Sequence, residues 1–280
     1  MPEGHTLHRL ALELTDAFAG SVVRVGSPQG RFAESAALVD GQVLEGAEAW
    51  GKHLFVGFAG ERFVHVHLGL YGKLDVHTGV EAVPDPVGQV RMRLVRADAA
   101  AYADLRGATT CELVTAEQRD LVVARSGPDP IRPDADPDRA WRRISRSRAP
   151  IGGLLMDQTV LAGVGNVYRA EVLYRHRMHP LRPGNTVRRS QWQAMWDDLV
   201  VLMAEGVRTG RIDTVRPEHT PEAMGRPPRK DDHGGEVYVY RRHGQPCLVC
   251  AAKVRTEVLQ GRNLFWCPRC QPTFRSRAVQ

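Results

Sequence analysis

The sequence predicts a multidomain α+β protein with a helix and a β-rich region first, a helical region next, and a small metal-binding tail last. Three observations lead to this fold class. Apolar residues recur first at helical spacing and then in alternation, a proline-rich stretch separates this pattern from later helices, and four cysteines form two Cys-x2-Cys pairs near the end. The chain has 280 residues, which exceeds the usual size of one domain, so we expect at least two domains.

The N-terminal region combines one helix with short strands. Apolar residues at helical spacing predict a helix over residues 6–19, with Thr6 able to cap its start. Residues 53–58 and 62–68 then predict the two strands of a hairpin, because they flank the turn sequence Ala-Gly. Residues 90–94 alternate between apolar and charged side chains, as a half-buried strand does. We therefore expect a helix followed by a β-sandwich or barrel.

Two loop-rich stretches divide the rest of the chain. Residues 126–138 contain four prolines and predict a linker, and residues 216–235, which are rich in proline and glycine, predict a second linker. The domains separated by these linkers are residues 1–125, 139–215 and 236–280.

A helix of the middle domain is predicted to begin at a capping-box pattern formed by Ser190 and Gln193. Its large apolar side chains recur on one face, and we interpret this stripe as core. The residues of the stripe are Trp192, Met195, Trp196, Leu199 and Met203.

The formal net charge of +6 is unevenly distributed. Residues 1–138 carry 13 basic and 20 acidic side chains, whereas residues 139–215 carry 13 and 6, and residues 236–280 carry 8 and 2. An acidic half joined to a basic half is typical of a protein that binds a polyanion with its basic part. A solvated arginine-rich surface is the alternative. No run of about 18 apolar residues and no secretion signal occur, so we expect a cytoplasmic protein without a membrane partner.

Four of the five cysteines predict a metal site. Cys247 and Cys250 form the first pair, and Cys267 and Cys270 form the second pair after 16 intervening residues. This spacing suits one tetrahedral zinc ion, and four thiolates close its coordination shell, so we expect a structural rather than a catalytic ion. Two disulfides are the weaker alternative in a cytosolic chain. Cys111 lies in a strand-like stretch and is predicted to be an inert buried thiol.

The segment between the two pairs predicts a hairpin at residues 260–266, whose glycine turn presents Arg262 to a partner. Because this tail is strongly basic, we expect the partner to be nucleic acid. A zinc ribbon that binds only proteins is the alternative. His233 and His243 are interpreted as surface residues rather than zinc ligands, since four cysteines suffice.

Three motifs in this order resemble the Fpg/Nei family of DNA glycosylases. They are the start Met1-Pro2-Glu3-Gly4, the element Gly163-Val164-Gly165-Asn166-Val167-Tyr168, and the tail Gly261-Arg262-x4-Cys267-Pro268-x-Cys270. They lie near the start, middle and end of the chain, so the resemblance covers essentially all of it. It implies an N-terminal helix plus β-sandwich, a helix–two-turn–helix domain and a C-terminal zinc ribbon finger. It also implies excision of damaged bases from DNA.

The resemblance implies catalytic roles for three residues of the N-terminal domain. Removal of Met1 exposes the secondary amine of Pro2, and the reference pKa of an α-amine, about 7.7–8.0, leaves part of it unprotonated near neutral pH. Its attack on C1′ of a damaged nucleotide would expel the base and leave an iminium that permits strand cleavage by β-elimination. Glu3 is implied as the acid/base group. Lys52, one of only four lysines, is implied to contact the DNA phosphate and the lesion nucleotide.

The resemblance also implies DNA contacts for five residues. Asn166 and Arg262 are implied to hold phosphates beside the lesion, one from a glycine-rich turn between helices and one from the zinc finger. A flipped nucleotide leaves a vacancy in the base stack, and Leu70 and Tyr71 are implied to fill it. Arg106 resembles the intercalation-loop arginine of the Fpg branch, although the phenylalanine that follows it there is missing.

Pro2-Glu3-Gly4 and Leu70-Tyr71 favour the Nei (endonuclease VIII-like) branch. The sequence therefore predicts a monomeric, bifunctional glycosylase/AP lyase that removes oxidised bases, pyrimidines more than purines, from damaged duplex, bubble or single-stranded DNA in the nucleoid. One alternative is a formamidopyrimidine/8-oxoguanine glycosylase. Another is a non-catalytic zinc-ribbon DNA-binding protein in which Pro2 is incidental. A third is a tautomerase-like enzyme with an N-terminal proline, in which the zinc tail and the basic helical domain would have no purpose.

Overall fold

The computed structural model describes residues 2–230 and 235–274. The chain divides into two compact units, Met1–Arg125 and Ser126–Gln280, and each unit has its own hydrophobic core. The division falls where the first predicted linker begins. None of the helices among the described residues is long and apolar enough to cross a membrane.

The described part of the first unit combines helices with an eight-stranded sheet. Its elements are α1 (Gly4–Phe18), β1 (Ser21–Gly26), α2 (Ala33–Val39), β2 (Gln42–Trp50), β3 (His53–Phe58), β4 (Arg62–His67), β5 (Lys73–Thr78), β6 (Val90–Arg96), β7 (Ala101–Arg106), β8 (Thr110–Thr115) and α3 (Ala116–Arg125).

The predicted N-terminal helix is confirmed, but its predicted start is wrong. The helix begins at Gly4, with Glu3 in an extended conformation as the N-cap residue (φ −116°, ψ 178°). Thr6 therefore lies inside the first turn, where its backbone N–H donates to the Glu3 carbonyl (2.9 Å). Several residues near a helix start can serve as a cap, so the side-chain pattern alone did not identify the correct one.

α1 packs antiparallel to β2. The backbone N–H of Ala47 donates to the Thr15 hydroxyl (3.0 Å), and the backbone N–H of Gly20 donates to the Leu44 carbonyl (2.8 Å). Later residues of the helix thus meet earlier residues of the strand. This direction determines which end of the sheet the start of the chain reaches.

The sheet is antiparallel throughout, in the order β5-β7-β6-β1-β2-β3-β4-β8. The hairpin predicted from residues 53–68 is confirmed as β3 and β4, and the alternating segment 90–94 lies in β6. Leu74 of one edge strand and Cys111 of the other belong to the same core, which also contains the buried face of α1. The sheet therefore curves over one core. Cys111 is buried, as predicted, and burial raises the pKa of its thiol to about 12.

The second unit contains the remaining helices and a short hairpin. Its described elements are α4 (Pro137–Ile144), α5 (Ile151–Leu154), α6 (Asn166–Arg175), α7 (Arg189–Thr209), α8 (Pro221–Met224), β9 (Arg255–Leu259) and β10 (Arg262–Trp266), with 3-10 turns at Gly184–Thr186 and Pro217–His219.

The Trp/Met stripe of α7 is buried in the core of the second unit, as predicted. The capping box predicted at Ser190 and Gln193 is wrong. The helix begins at Arg189, and the Gln191 side chain accepts from the backbone N–H of Arg188 (3.1 Å). The capping pattern is thus present two residues earlier than the one we assigned.

The start of the predicted linker 126–138 is packed into the second unit. Residues 126–130 are buried, the backbone N–H of Gly127 donates to the Gln158 carbonyl (2.8 Å), and the Ala162 N–H donates to the Pro128 carbonyl (3.0 Å). Proline-rich composition here reflects an ordered segment that lies against the turn before α6.

One buried carboxylate joins α6 to the segment that precedes the cysteines. Glu171 is fully buried and accepts hydrogen bonds from the backbone N–H groups of Tyr238 (2.7 Å), Val239 (2.9 Å) and Tyr240 (2.9 Å). It also accepts from the Thr214 hydroxyl (2.7 Å). A buried carboxylate is stable only with such partners. Glu171 therefore holds both Thr214 and the segment before the cysteines against α6.

We expect Glu171→Ala to lower the free energy of unfolding of the second unit by about 3 kcal/mol or more, since buried N–H groups would lose their acceptor. Urea unfolding followed by tryptophan fluorescence measures this loss, because four of the five tryptophans lie in the second unit. Exposed Glu222→Ala is the matched control and should change stability by less than about 0.5 kcal/mol. Equal losses in the two variants would contradict this role of Glu171.

Candidate functional site

Pro2, near the start of the chain, lies next to a buried carboxyl group. Pro2 is half-buried, and Glu3 is 0% exposed although it directly precedes α1. The N-terminus of a helix carries a partial positive charge, which favours a carboxylate at this position. The arrangement holds a carboxyl group away from bulk water, in the residue directly after the proline.

Lys52 lies in the tight turn between β2 and β3. The turn has two central residues, Gly51 and Lys52, since Trp50 pairs directly with His53. The Lys52 side chain is half-buried, and it is close to the imidazole of His67. Burial, and then the positive charge of Lys52, lower the pKa of His67.

The antiparallel packing of α1 brings the chain start and the Lys52 turn to the same end of the first unit. From the contact of Thr15 with Ala47, the helix start at Gly4 lies about 16 Å back along α1. From the same contact, Lys52 lies about 16 Å along β2 in the same direction. The three residues predicted to be catalytic, Pro2, Glu3 and Lys52, thus lie at the same end of α1 and β2.

Leu70 and Tyr71 project from a compact loop between β4 and β5. Leu70 is 43% exposed and Tyr71 is 90% exposed, and the backbone N–H of Gly72 closes the loop on the Leu68 carbonyl (3.0 Å). Gly69 has φ +69°, and a Cβ atom there would lie 2.4 Å from a methyl carbon of Thr109. Glycine is therefore required beside these two exposed side chains.

Arg106 ends β7 and takes part in a network of ion pairs. Its guanidinium contacts the carboxylates of Asp104 (2.9 Å) and Asp75 (3.4 Å), and it donates to the Val87 carbonyl (3.1 Å). The side chain remains partly exposed. Arg106 therefore lies at the end of a strand, and its guanidinium has hydrogen-bond acceptors within the protein.

Asn166 is the first residue of α6 and is buried. Arg169, one turn later, donates to the Asn166 side-chain oxygen and to the backbone carbonyl of Asn263 (2.9 Å) in β10. Arg262, which pairs with Leu259 in the β9–β10 hairpin, directly precedes Asn263 and is half-buried. The structure thus brings together Asn166 and Arg262, which the sequence places almost one hundred residues apart.

The four predicted zinc ligands converge. Their sulfur atoms all lie within 4.8 Å of one another, with Cys247–Cys270 at 3.9 Å and Cys250–Cys267 at 3.4 Å. Four thiolates at the usual Zn–S distance of about 2.3 Å define a tetrahedron with edges of about 3.8 Å, so the cluster fits one structural zinc ion. The Tyr174 hydroxyl of α6 forms a hydrogen bond to the Cys247 sulfur (3.1 Å). His243 is exposed, and His233 lies outside the described residues.

The sequence reasoning missed the polar groups of α6. Nine of its ten residues are buried, yet three of them make polar contacts outside the helix. Arg169 contacts Asn263 of β10, Glu171 contacts the chain segment before the cysteines, and Tyr174 contacts the cysteine cluster. A signal was available, because charged residues within a helix that lacks a polar face must find partners. The identity of those partners is not encoded locally.

Models of known families match most of the chain in order. The N-terminal domain of formamidopyrimidine-DNA glycosylase matches residues 1–111, the H2TH domain of formamidopyrimidine-DNA glycosylase matches residues 126–217, and a zinc finger found in FPG and IleRS matches residues 244–273. These matches confirm the predicted fold class and the zinc finger.

Relatives and solved structures agree with these models. The chain is 55% identical to "Endonuclease 8 1" of Mycobacterium tuberculosis, over 97% of this chain and 100% of that protein. It is 32% identical to "Probable endonuclease 8 2" of Streptomyces coelicolor, over 97% and 94% respectively. A crystal structure of Lactococcus lactis Fpg in complex with abasic-site DNA has the same fold, with a TM-score of 0.78 at 22% identity over 97% of this chain and 100% of that one. The chain therefore belongs to the Fpg/Nei family of DNA glycosylases.

Proposed function

We propose that this protein is a bifunctional DNA glycosylase and AP lyase that uses the amine of Pro2 as its nucleophile once Met1 has been removed. The observation that carries the proposal is the position of Pro2, buried Glu3 and the Lys52 turn at one end of α1. The names of its relatives, an endonuclease 8 and formamidopyrimidine-DNA glycosylases, support the same reaction class.

The proposed reaction needs an amine that is unprotonated near neutral pH, and an α-amine meets this requirement better than a lysine side chain. The Pro2 nitrogen attacks C1′ of the damaged nucleotide, and the base leaves with the electrons of the glycosidic bond. Loss of the proton from the Pro2 nitrogen, and opening of the sugar ring as its oxygen takes up a proton, then give an iminium between Pro2 and C1′. The iminium acidifies the C2′ proton, so its removal breaks the C3′–oxygen bond by β-elimination.

Glu3 and Lys52 supply the proton and charge that these steps need. A carboxyl group in the residue next to the proline can exchange a proton with the reacting sugar, so Glu3 is proposed to protonate the sugar ring oxygen as it opens. The ammonium of Lys52 attracts the phosphate next to the lesion and thereby fixes the nucleotide against the amine.

The remaining DNA contacts are proposed from the family resemblance, and the exposure of Leu70 and Tyr71 supports two of them. Asn166 and Arg262 are proposed to hold phosphates, and Leu70 and Tyr71 are proposed to fill the vacancy left by the flipped nucleotide, since exposed apolar side chains gain from burial in the base stack. Arg106 is the weakest member of the set, because its guanidinium already has acidic partners.

The preferred lesions are proposed to be oxidised pyrimidines. The 55% identity to an endonuclease 8 and the exposed Leu70-Tyr71 pair support this branch of the family. We also propose that the protein acts as a monomer in the cytoplasm, on duplex DNA and on bubble or single-stranded DNA.

Blocking the Pro2 amine should abolish covalent trapping. Protein with residues added before Pro2 should form no adduct with an abasic-site duplex in the presence of borohydride, whereas protein with the same residues added after Gln280 should be fully trapped. Gel shift measures the adduct, and peptide mapping should locate it on the Pro2 nitrogen. An adduct on a lysine, or equal trapping of both proteins, would rule out the proposed nucleophile. Binding without any trapping would favour the non-catalytic DNA-binding alternative.

The lesion preference is tested by comparing excision of two lesions. We expect kcat/KM for an oxidised pyrimidine to exceed that for 8-oxoguanine at least tenfold, which corresponds to about 1.4 kcal/mol of transition-state stabilisation. Single-turnover excision from duplexes of identical sequence measures the ratio, and an abasic-site duplex serves as the control for the lyase step. A preference for 8-oxoguanine would assign the chain to the formamidopyrimidine-type alternative.

Removal of zinc should disrupt the second unit. The cysteine cluster contributes to the same core as α6 and α7, so a strong chelator should lower the melting temperature and weaken DNA binding. Metal analysis should give one zinc per chain for the protein and for Cys111→Ser, and much less than one for Cys250→Ser. Unchanged melting and DNA binding after complete chelation would refute the structural role of the metal.

A further inference from the structure

Arginines recur on one face of α4, and the roles proposed above do not account for them. They lie at positions i, i+3, i+4 and i+7, which is the spacing of a single helix face. The last of them follows the helix end, where Ser145 still has a helical backbone (φ −66°, ψ −17°). All four are exposed, and together with Ser147 they line one open hollow. These residues, here called the arginine face, are Arg139, Arg142, Arg143 and Arg146.

The opposite side of α4 is fixed in the core of the second unit. Ala140 and Ile144 are fully buried, and they belong to the hydrophobic core that also contains residues of α6 and α7. The indole N–H of Trp192 in α7 donates to the carbonyl of Pro137, the first residue of α4 (3.2 Å). Because the helix is held on this side, the arginine face is directed toward solvent.

Few acidic groups are available to the arginine face. Residues 139–156 contain five arginines and no aspartate or glutamate. Asp136 lies 3.5 Å from Arg142, and Asp138 is paired with an arginine of α7 (2.7 Å). Arg146 has no hydrogen bond or ion pair with any residue in the described part of the chain. Like-charged side chains at these spacings repel one another, so the face carries more positive charge than its surroundings neutralise.

The arginine face adjoins the turn that precedes α6. A guanidinium N–H of Arg143 donates to the Thr159 carbonyl (3.0 Å). The Gln158 side chain accepts from the backbone N–H of Gly163 (3.0 Å), which lies three residues before Asn166. Since Gly163 is the fourth residue after Thr159, even an extended chain would keep the Arg143 guanidinium within about 20 Å of the Gly163 backbone.

We propose that the arginine face binds phosphates of the DNA that flanks the lesion. This inference rests on the proposed function, in which Asn166 holds a phosphate beside the lesion. One strand of B-DNA rises about 3.4 Å per nucleotide, so a distance of about 20 Å corresponds to about six nucleotides. The guanidinium groups form charge-assisted hydrogen bonds with phosphate oxygens, and such contacts are independent of base sequence.

Two features favour a DNA backbone over an acidic protein as the partner. Protein interfaces are centred on buried apolar or aromatic side chains, whereas interfaces with DNA are polar and strongly positive. None of the exposed large apolar side chains among the described residues lies between residues 139 and 156. In addition, every cation of this segment is an arginine, whose planar donor groups match the geometry of a phosphate.

The arginine face should add affinity for any duplex without adding preference for a lesion. Phosphate contacts release counterions, so each of them makes binding more sensitive to salt. The face therefore differs from residues that recognise the flipped nucleotide, whose loss weakens binding of damaged DNA more than binding of undamaged DNA. This difference allows the two kinds of contact to be separated by measurement.

The test uses the double variant Arg142→Gln/Arg146→Gln. Neither side chain donates to a backbone carbonyl of the described residues, so the change removes charge without releasing a loop. Fluorescence anisotropy gives Kd across a range of salt concentrations for a duplex with an uncleavable abasic-site analogue and for the same duplex undamaged. We expect the slope of log Kd against log salt to fall by about 0.9 per contact, or about 1.8 in total. Kd should rise at least tenfold at about 0.1 M salt, equally for both duplexes.

Two further double variants control for folding and for net charge. Arg142→Lys/Arg146→Lys keeps both charges and should retain most of the slope. Arg208→Gln/Arg211→Gln removes the same charge from exposed arginines of the same unit, which are paired with Glu205 and Asp213. We expect this variant to lower the slope by less than about 0.5. The melting temperature of each variant verifies that it is folded.

The outcomes distinguish this inference from the proposed function. If the unaltered protein forms no borohydride adduct with an abasic-site duplex, the proposed function fails. If it forms the adduct but Arg142→Gln/Arg146→Gln, folded, retains its salt slope, the arginine-face inference fails alone. An equal fall of the slope in Arg208→Gln/Arg211→Gln would also overturn it, because net charge and not this surface would then determine binding. A loss confined to the damaged duplex would contradict a contact with flanking phosphates.

Discussion

The antiparallel packing of α1 against β2 is the constraint on which the proposed active site depends. The contact between Thr15 and Ala47 sets the register of the helix on the strand, and the lengths of the two elements then bring the chain start level with the Lys52 turn. A nucleophile at the N-terminus needs such a restraint, because the first residues of a chain are poorly ordered unless they are tied down. Burial of Glu3 provides it next to Pro2.

In the second unit, charged side chains of α6 hold the small zinc finger against the helical domain. Glu171 gathers the backbone N–H groups before the first cysteine pair, and Arg169 links the helix start to the β9–β10 hairpin. Burying such charges is costly unless every partner is present, so these contacts favour one relative arrangement of helix and finger. Asn166 and Arg262 lie near each other because of that arrangement.

Local patterns in the sequence predicted the elements well and their long-range partners poorly. The period of two in β6, the turn between β3 and β4, the apolar stripe of α7 and the spacing of the cysteines are encoded within short segments, and all of them recur in the structure. Helix starts were less predictable, because adjacent residues offer competing caps, and both predicted caps were displaced by two or three residues. The hydrogen-bond partners of Glu171 lie 43 to 69 residues away along the chain. No local pattern specifies such pairs.

The acidic and basic parts of the sequence also differ in how they can attract DNA. Residues 1–138 carry an excess of acidic groups, so the net charge of that region does not attract DNA. The arginine-rich remainder of the chain supplies the long-range attraction and the salt dependence that accompanies it. The phosphate contact proposed for Lys52 therefore has to act at short range, within a region whose net charge is negative.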